Sequence, residues 1–178
     1  MSRYSHAAQT FIDLLGIFEP PIAIAYADAP PAGVAPLTAR GPSACALWRL
    51  AETQTFYASA ADHAGCPVGA HVMGFSLSPG TAQELTAAVG LMLDSGYMSA
   101  DELAQLPRVV EALGGIVYGP LADFPVDAEA ALLWVNSAQA MLLEEGIGAV
   151  RWPVSKRHPY LLGRPGCAAL AVAVDCVV

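Results

Sequence analysis

The sequence predicts an α+β domain of short strands interleaved with helices, and three observations carry that expectation. Apolar runs such as Ile22 to Tyr26 and Ile116 to Tyr118 are too short for helices and are bounded by proline or glycine. Between them lie stretches with helical spacing of apolar residues and capping-box signals, Thr81 with Glu84 and Ser99 with Glu102. Hydrophobic residues make up 55% of the chain and charged residues only 13%, against about a quarter charged in average soluble domains. At 178 residues the chain can bury roughly two thirds of its unfolded surface, so residues 1–178 read as a single domain.

Taken in order, residues 5–18 place Ala7, Phe11, Leu14, Leu15 and Phe18 on one helical face, with Ser5 as the cap and Gly16 near the end. Pro20 and Pro21 stop that helix, Ile22 to Tyr26 is strand-like, and Asp28 to Pro36 is a proline-rich loop. Ser43 is placed to cap a helix through Ala51 that sets Cys45, Trp48 and Arg49 three or four residues apart on one face. Residues 53–60 have the β-branched and aromatic content of a strand, and a glycine-bounded segment around Cys66 follows. Thr81 caps a helix with Leu85, Val89, Met92 and Leu93 in one stripe, and Ser99 caps a shorter one ending by Pro107. Val109 to Leu113 reads as a further helical turn broken at Gly114-Gly115. Ile116 to Tyr118 is a strand and Ala130 to Val135 a buried strand. Ala138 to Glu145 is a helix capped by Ser137, and Ala149 to Val154 is strand-like. The apolar run from Cys167 to Val178 fits either a strand or a helix. A weak internal echo, with Gly-Cys closing both segments at Cys66 and Cys167, suggests pseudo-repeat halves at about 20–80 and 115–178.

Composition excludes some classes of partner. With 8 Lys and Arg against 16 Asp and Glu the net charge is -8, which gives no electrostatic footprint for nucleic acid or an anionic membrane surface. The apolar stretch from Phe11 to Tyr26 carries Asp13, Glu19 and two prolines, so it resembles neither a signal peptide nor a membrane span. A cytoplasmic protein is expected. So few charges leave apolar surface to be buried between subunits, most simply in a homodimer. The basic cluster from Arg151 to Arg164 could hold one anionic group but reads first as a solvated loop.

In a reducing compartment Cys45, Cys66, Cys167 and Cys176 are free thiols, either small core residues or ligands and nucleophiles. Thiolate sulfur binds zinc, copper(I) or an iron-sulfur cluster, and that is the leading expectation, although no C-x-x-C pair is present. His63, Cys66 and His71 stand at H-x-x-C-x-x-x-x-H, a spacing that suits a mixed metal site, and Cys66-Pro67 resembles a short haem-binding motif. Cys176 is expected in the core. A thiol enzyme is the second class, with Cys66 as nucleophile at the start of a helix, His63 or His71 as base and Asp62 to orient it. The third is a small-ligand-binding or assembly protein whose pocket is lined near Trp48, Tyr57 and Phe75. No phosphate-binding glycine loop, serine elbow or H-E-x-x-H helix is present.

The order I-A-I-A-Y, C-A-L-W-R-L-A, G-C-P-V-G, Y-G-P-L, N-S-A-Q-A-M-L-L and G-R-P-G-C-A-A-L resembles the uncharacterised prokaryotic family called domain of unknown function 169, or ArCR, from about Pro21 on. The resemblance implies that Cys45, Cys66 and Cys167 match the family's cysteine positions, and a cysteine-lined site is expected there. It implies no activity. Family members run on with a further glycine- and cysteine-containing strand where this chain has D-C-V-V.

Overall fold

The computed structural model describes residues 3–38, 44–110, 114–147, 167 and 176–177. The elements are α1 (Ser5–Leu15), β1 (Ile22–Ala27), α2 (Ala44–Ala51), β2 (Phe56–Ser59), α3 (Ala60–His63), α4 (Pro67–Val72), α5 (Pro79–Asp94) and α6 (Ala100–Ala104). They continue with β3 (Arg108–Val109), β4 (Gly115–Pro120), a 3-10 turn over Leu121–Asp123, β5 (Ala130–Leu132), α7 (Ser137–Ile147) and β6 (Cys176–Val177). The fold is α+β, as the alternation of short runs and capped helices predicts.

Four strands form one antiparallel sheet in the order β2-β4-β1-β5, and β3 pairs with β6 in a separate antiparallel ladder. Strand periodicity decides what each face carries. Ile22 and Ile24 of β1, Phe56 and Ala58 of β2, and Ile116 and Tyr118 of β4 share one face. Leu47, Trp48 and Ala51 of α2 and Val68, Ala70 and Val72 of α4 close over it. The intervening Ala23, Ala25, Tyr57 and Val117 point the other way, onto Ala8 of α1, Leu121 of the 3-10 turn and Phe124. Both faces are covered, which is why β1 and β4 read as continuous apolar runs rather than alternating ones. Each large side chain buried this way contributes about 1.5–3 kcal/mol.

Tight joints need glycine. Gly16 ends α1 at φ 62 while its N–H donates to the Ile12 carbonyl. Gly114 enters β4 at φ 70, where a Cβ would run into the backbone carbonyl oxygens of Ala27 and Asp28.

Several sequence expectations shift. In α1, Ser5 is the first helical residue and Tyr4 the cap, and Ala8 is the buried residue while Leu14 is 74% exposed; the helix ends at Leu15, so Phe18, 98% exposed, lies beyond it. The cap of α5 is Ser78, whose Oγ accepts from the Thr81 N–H at 3.2 Å, because Pro79 fits the first helical position better than any site after it. Leu93 drops out of the α5 stripe and is exposed. Asn136, not Ser137, caps α7 through reciprocal bonds with Gln139 at 2.9 and 3.0 Å. Val109 belongs to β3, since pairing with Cys176 outweighs the local helical pattern. The Ala130 to Val135 run forms only a three-residue edge strand, partly exposed. Ser43, residues 111–113 and Ala149 to Val154 lie outside the described residues, as does most of the run after Cys167.

Candidate functional site

The residues singled out in the sequence separate into two neighbouring regions. The first is a buried cluster on the α2 and α4 face of the sheet, centred on Tyr118. His63 ends α3, a single turn whose start is fixed by the Asp62 carboxylate accepting from the Ser59 N–H and hydroxyl, each at 2.7 Å. That turn drives the His63 ring inward, to 1% exposure, against Phe75 with ring centroids 4.6 Å apart. Its Nδ1 lies 2.7 Å from the Ser59 carbonyl oxygen and its Nε2 2.8 Å from the Tyr118 hydroxyl. A carbonyl only accepts, so Nδ1 carries the proton and Nε2 accepts from Tyr118. Burial holds the His63 pKa below its ordinary value, opposed in part by the bond to Ser59 and the charge of Asp62.

Cysteines gather around the same tyrosine. Burial first, then Tyr26, Cys167 and Cys45, push the Tyr118 phenol well above its ordinary pKa. Tyr26, whose hydroxyl donates to the Met73 carbonyl at 3.1 Å, is raised by burial, by Glu129 and by Cys167. Cys167 is buried in this core and Cys66 packs against it, while Cys45 is exposed on α2. Cys66 caps α4, its Sγ accepting from the Gly69 N–H at 3.4 Å with Pro67 at the first helical position. Among the described residues no three His, Cys, Asp or Glu side chains assemble as a metal-ligand group. His63 is held by Ser59 and Tyr118, Cys66 by Gly69, and His71 lies in the second region.

That second region is a cleft of about 480 Å³ between α4, α5, α6 and β3, which the sequence reading did not locate. Val68, His71 and Val72 form the α4 wall, Leu85, Val89 and Met92 the α5 wall, and Met98, Leu103 and Leu106 the far side. Arg108 of β3 stands exposed on its rim. His71 and Arg108 are the two polar side chains in an otherwise aliphatic and methionine lining. Burial and the neighbouring Arg108 charge both hold the His71 pKa down, favouring a neutral ring. The signal available in the sequence was the Leu85, Val89, Met92 stripe: no residue of α5 is fully buried, and Leu85 and Met92 both pack against the edge of the core and line the hollow.

Trp48, Tyr57 and Phe75 do not line a common pocket. Trp48 and Phe75 are core residues on one face of the sheet and Tyr57 is on the opposite face, because Tyr57 alternates with Phe56 along β2. Trp48 packs on Trp134 with centroids 6.3 Å apart, and the Arg49 guanidinium lies 4.5 Å from the Trp134 ring centroid. No helix among the described residues is long and apolar enough to cross a membrane.

Comparison with known proteins agrees with the motif order. Residues 10–174 match the family described as uncharacterised ArCR, domain of unknown function 169, and the chain belongs to that family. No curated protein and no solved structure matches the chain.

Proposed function

We propose that this member of the ArCR family is a small-ligand-binding protein whose ligand occupies the cleft between α4, α5, α6 and β3. The observation that supports this most directly is the cleft itself. A concave space of about 480 Å³ with an apolar lining and two polar side chains has the size and character of small-molecule sites, which run from about 300 to 1,000 Å³. The test uses protein carrying [methyl-13C]methionine, titrated with 1-octanol as a neutral aliphatic probe. Met92 and Met98 line the cleft, whereas Met73 is in the core and Met141 is exposed on α7. Saturable shifts at Met92 and Met98, with Met141 unmoved, are expected. Shifts confined to Met141, or none, would overturn the reading.

A second reading concerns the thiols. Cys45 and Cys167, far apart in sequence, both act on the buried Tyr118 phenol, and Cys66 packs against the same core. This shared neighbourhood is the ground for reading them as thiolate ligands of a soft metal or an iron-sulfur cluster, although among the described residues they do not stand together as a three-ligand group. Stoichiometric metal or visible absorption in protein purified without oxygen, lost in both Cys45→Ser and Cys167→Ser, is the expected result. Metal-free wild-type protein would count against it.

A further inference from the structure

We infer that the ligand of this cleft is a small carboxylate with an aliphatic tail, its carboxylate paired with Arg108 at the rim and its tail packed between α4 and α5. The inference rests on the small-ligand reading and adds the chemical class. Its starting point is the position of one cation in an acidic protein. The chain carries twice as many Asp and Glu as Lys and Arg, so its overall field repels anions and any anion site must be made locally. Arg3 pairs with Asp127, and Arg49 pairs with Glu52 and Glu19. Arg108 has no carboxylate partner among the described residues, and it stands at the mouth of an apolar hollow. The carboxylate of Glu102 on neighbouring α6 accepts from the Ser99 N–H at 2.8 Å.

Three features select the class of ligand. A guanidinium presents its donors in a planar fork that matches a carboxylate bidentately. His71, held neutral beside it, adds a hydrogen-bonding nitrogen without a second charge, so the rim suits a monoanion better than a phosphate dianion. Behind the rim, Val68 and Val72 face Leu85, Val89 and Met92 with no further polar side chain to meet a hydroxylated or charged tail. Methionine's flexible thioether lets such a lining adapt to linear or branched chains.

The experiment compares octanoate with 1-octanol on the full chain by the Met92 and Met98 methyl signals, in wild type, Arg108→Gln and Val89→Trp. Octanoate should bind wild type up to about fivefold more tightly than octanol, the worth of an ion pair at a solvent-exposed rim. Arg108→Gln should abolish the preference, and the methyl signal of the buried Met73, held at its wild-type position, shows that the variant is folded. Val89→Trp, which fills the tail space, should weaken both. If octanol saturates the cleft but octanoate binds no tighter, or if Arg108→Gln keeps the preference, the carboxylate assignment is wrong and the cleft reading stands. If neither probe moves Met92 and Met98, both fall.

Discussion

Replacing Tyr118 with phenylalanine removes one oxygen from the most enclosed polar pair in the protein. Tyr118 is 0% and His63 1% exposed, and the tyrosine hydroxyl supplies the proton that His63 Nε2 accepts at 2.8 Å. Without it Nε2 is left among Phe75, the rest of the core and no donor, because Nδ1 already faces the Ser59 carbonyl. An unsatisfied buried acceptor costs about 1–3 kcal/mol. For a chain of this length each kcal/mol moves the melting temperature by roughly 2–4 °C, so Tyr118→Phe should melt about 2–12 °C lower. Thermal and urea unfolding of Tyr118→Phe, His63→Leu and the double variant measure the loss. The two single losses should not add, since deleting both partners leaves neither end of the His63–Tyr118 bond stranded. Long-range 15N correlations of the His63 ring in wild type should show an unprotonated Nε2. A Tyr118→Phe variant within about 0.5 kcal/mol of wild type, strict additivity, or a proton on Nε2 would refute the arrangement.

Further tests concern acidity, backbone and thiols. Burial lowers the His63 pKa from 6.5, so below that value the unfolded chain takes up a proton that the folded chain refuses. Stability should therefore fall as pH drops from 6.5 toward the depressed value and should be insensitive to His63 above 6.5; His71 has the same sign. Urea midpoints on either side of that window, with His63→Leu as control, check it, and equal midpoints would contradict it. Gly114→Ala should destabilise by at least about 1–2 kcal/mol, since a side chain at φ 70 is disfavoured even before it meets the Asp28 carbonyl, and urea unfolding that leaves the midpoint unchanged would refute that. In iodoacetamide mapping by mass spectrometry Cys45 should react first, Cys66 more slowly, and Cys167 only in denaturant. Cys167 modified as fast as Cys45 would mean that the core around Tyr118 is open.

Local signals were legible where the cause of an element is local. β1 is bounded by Pro20-Pro21 and by the turn after Ala27, and α6 starts at the Ser99–Glu102 capping box with its 2.8 and 3.2 Å bonds in place. The α5 and α7 caps were misplaced by three residues and one, because more than one Ser, Thr or Asn has the required spacing and only backbone geometry chooses between them. β3 was illegible for a different reason: its partner Cys176–Val177 lies at the far end of the chain, and no window around Val109 contains it. The same holds for the cleft, whose walls come from four elements, while His71, noticed for its spacing from Cys66, turns out to face that hollow. Arg108 had no distinguishing pattern at all; its meaning comes from where β3 sits.

The antiparallel register has a consequence for how the chain is made. Ile22 pairs with Pro120 on one side and with Leu132 on the other, so neither neighbour of β1 is near it in sequence. A ribosome adding roughly 5–20 residues each second exposes β1 for on the order of ten seconds before β4 and β5 emerge. During that interval I-A-I-A-Y is an unpaired apolar strand beside α1, and β2 waits for β4 as well. The nascent amino-terminal half should thus be prone to aggregate until β4 is made, and slowing elongation before β4 should lower the soluble yield rather than raise it.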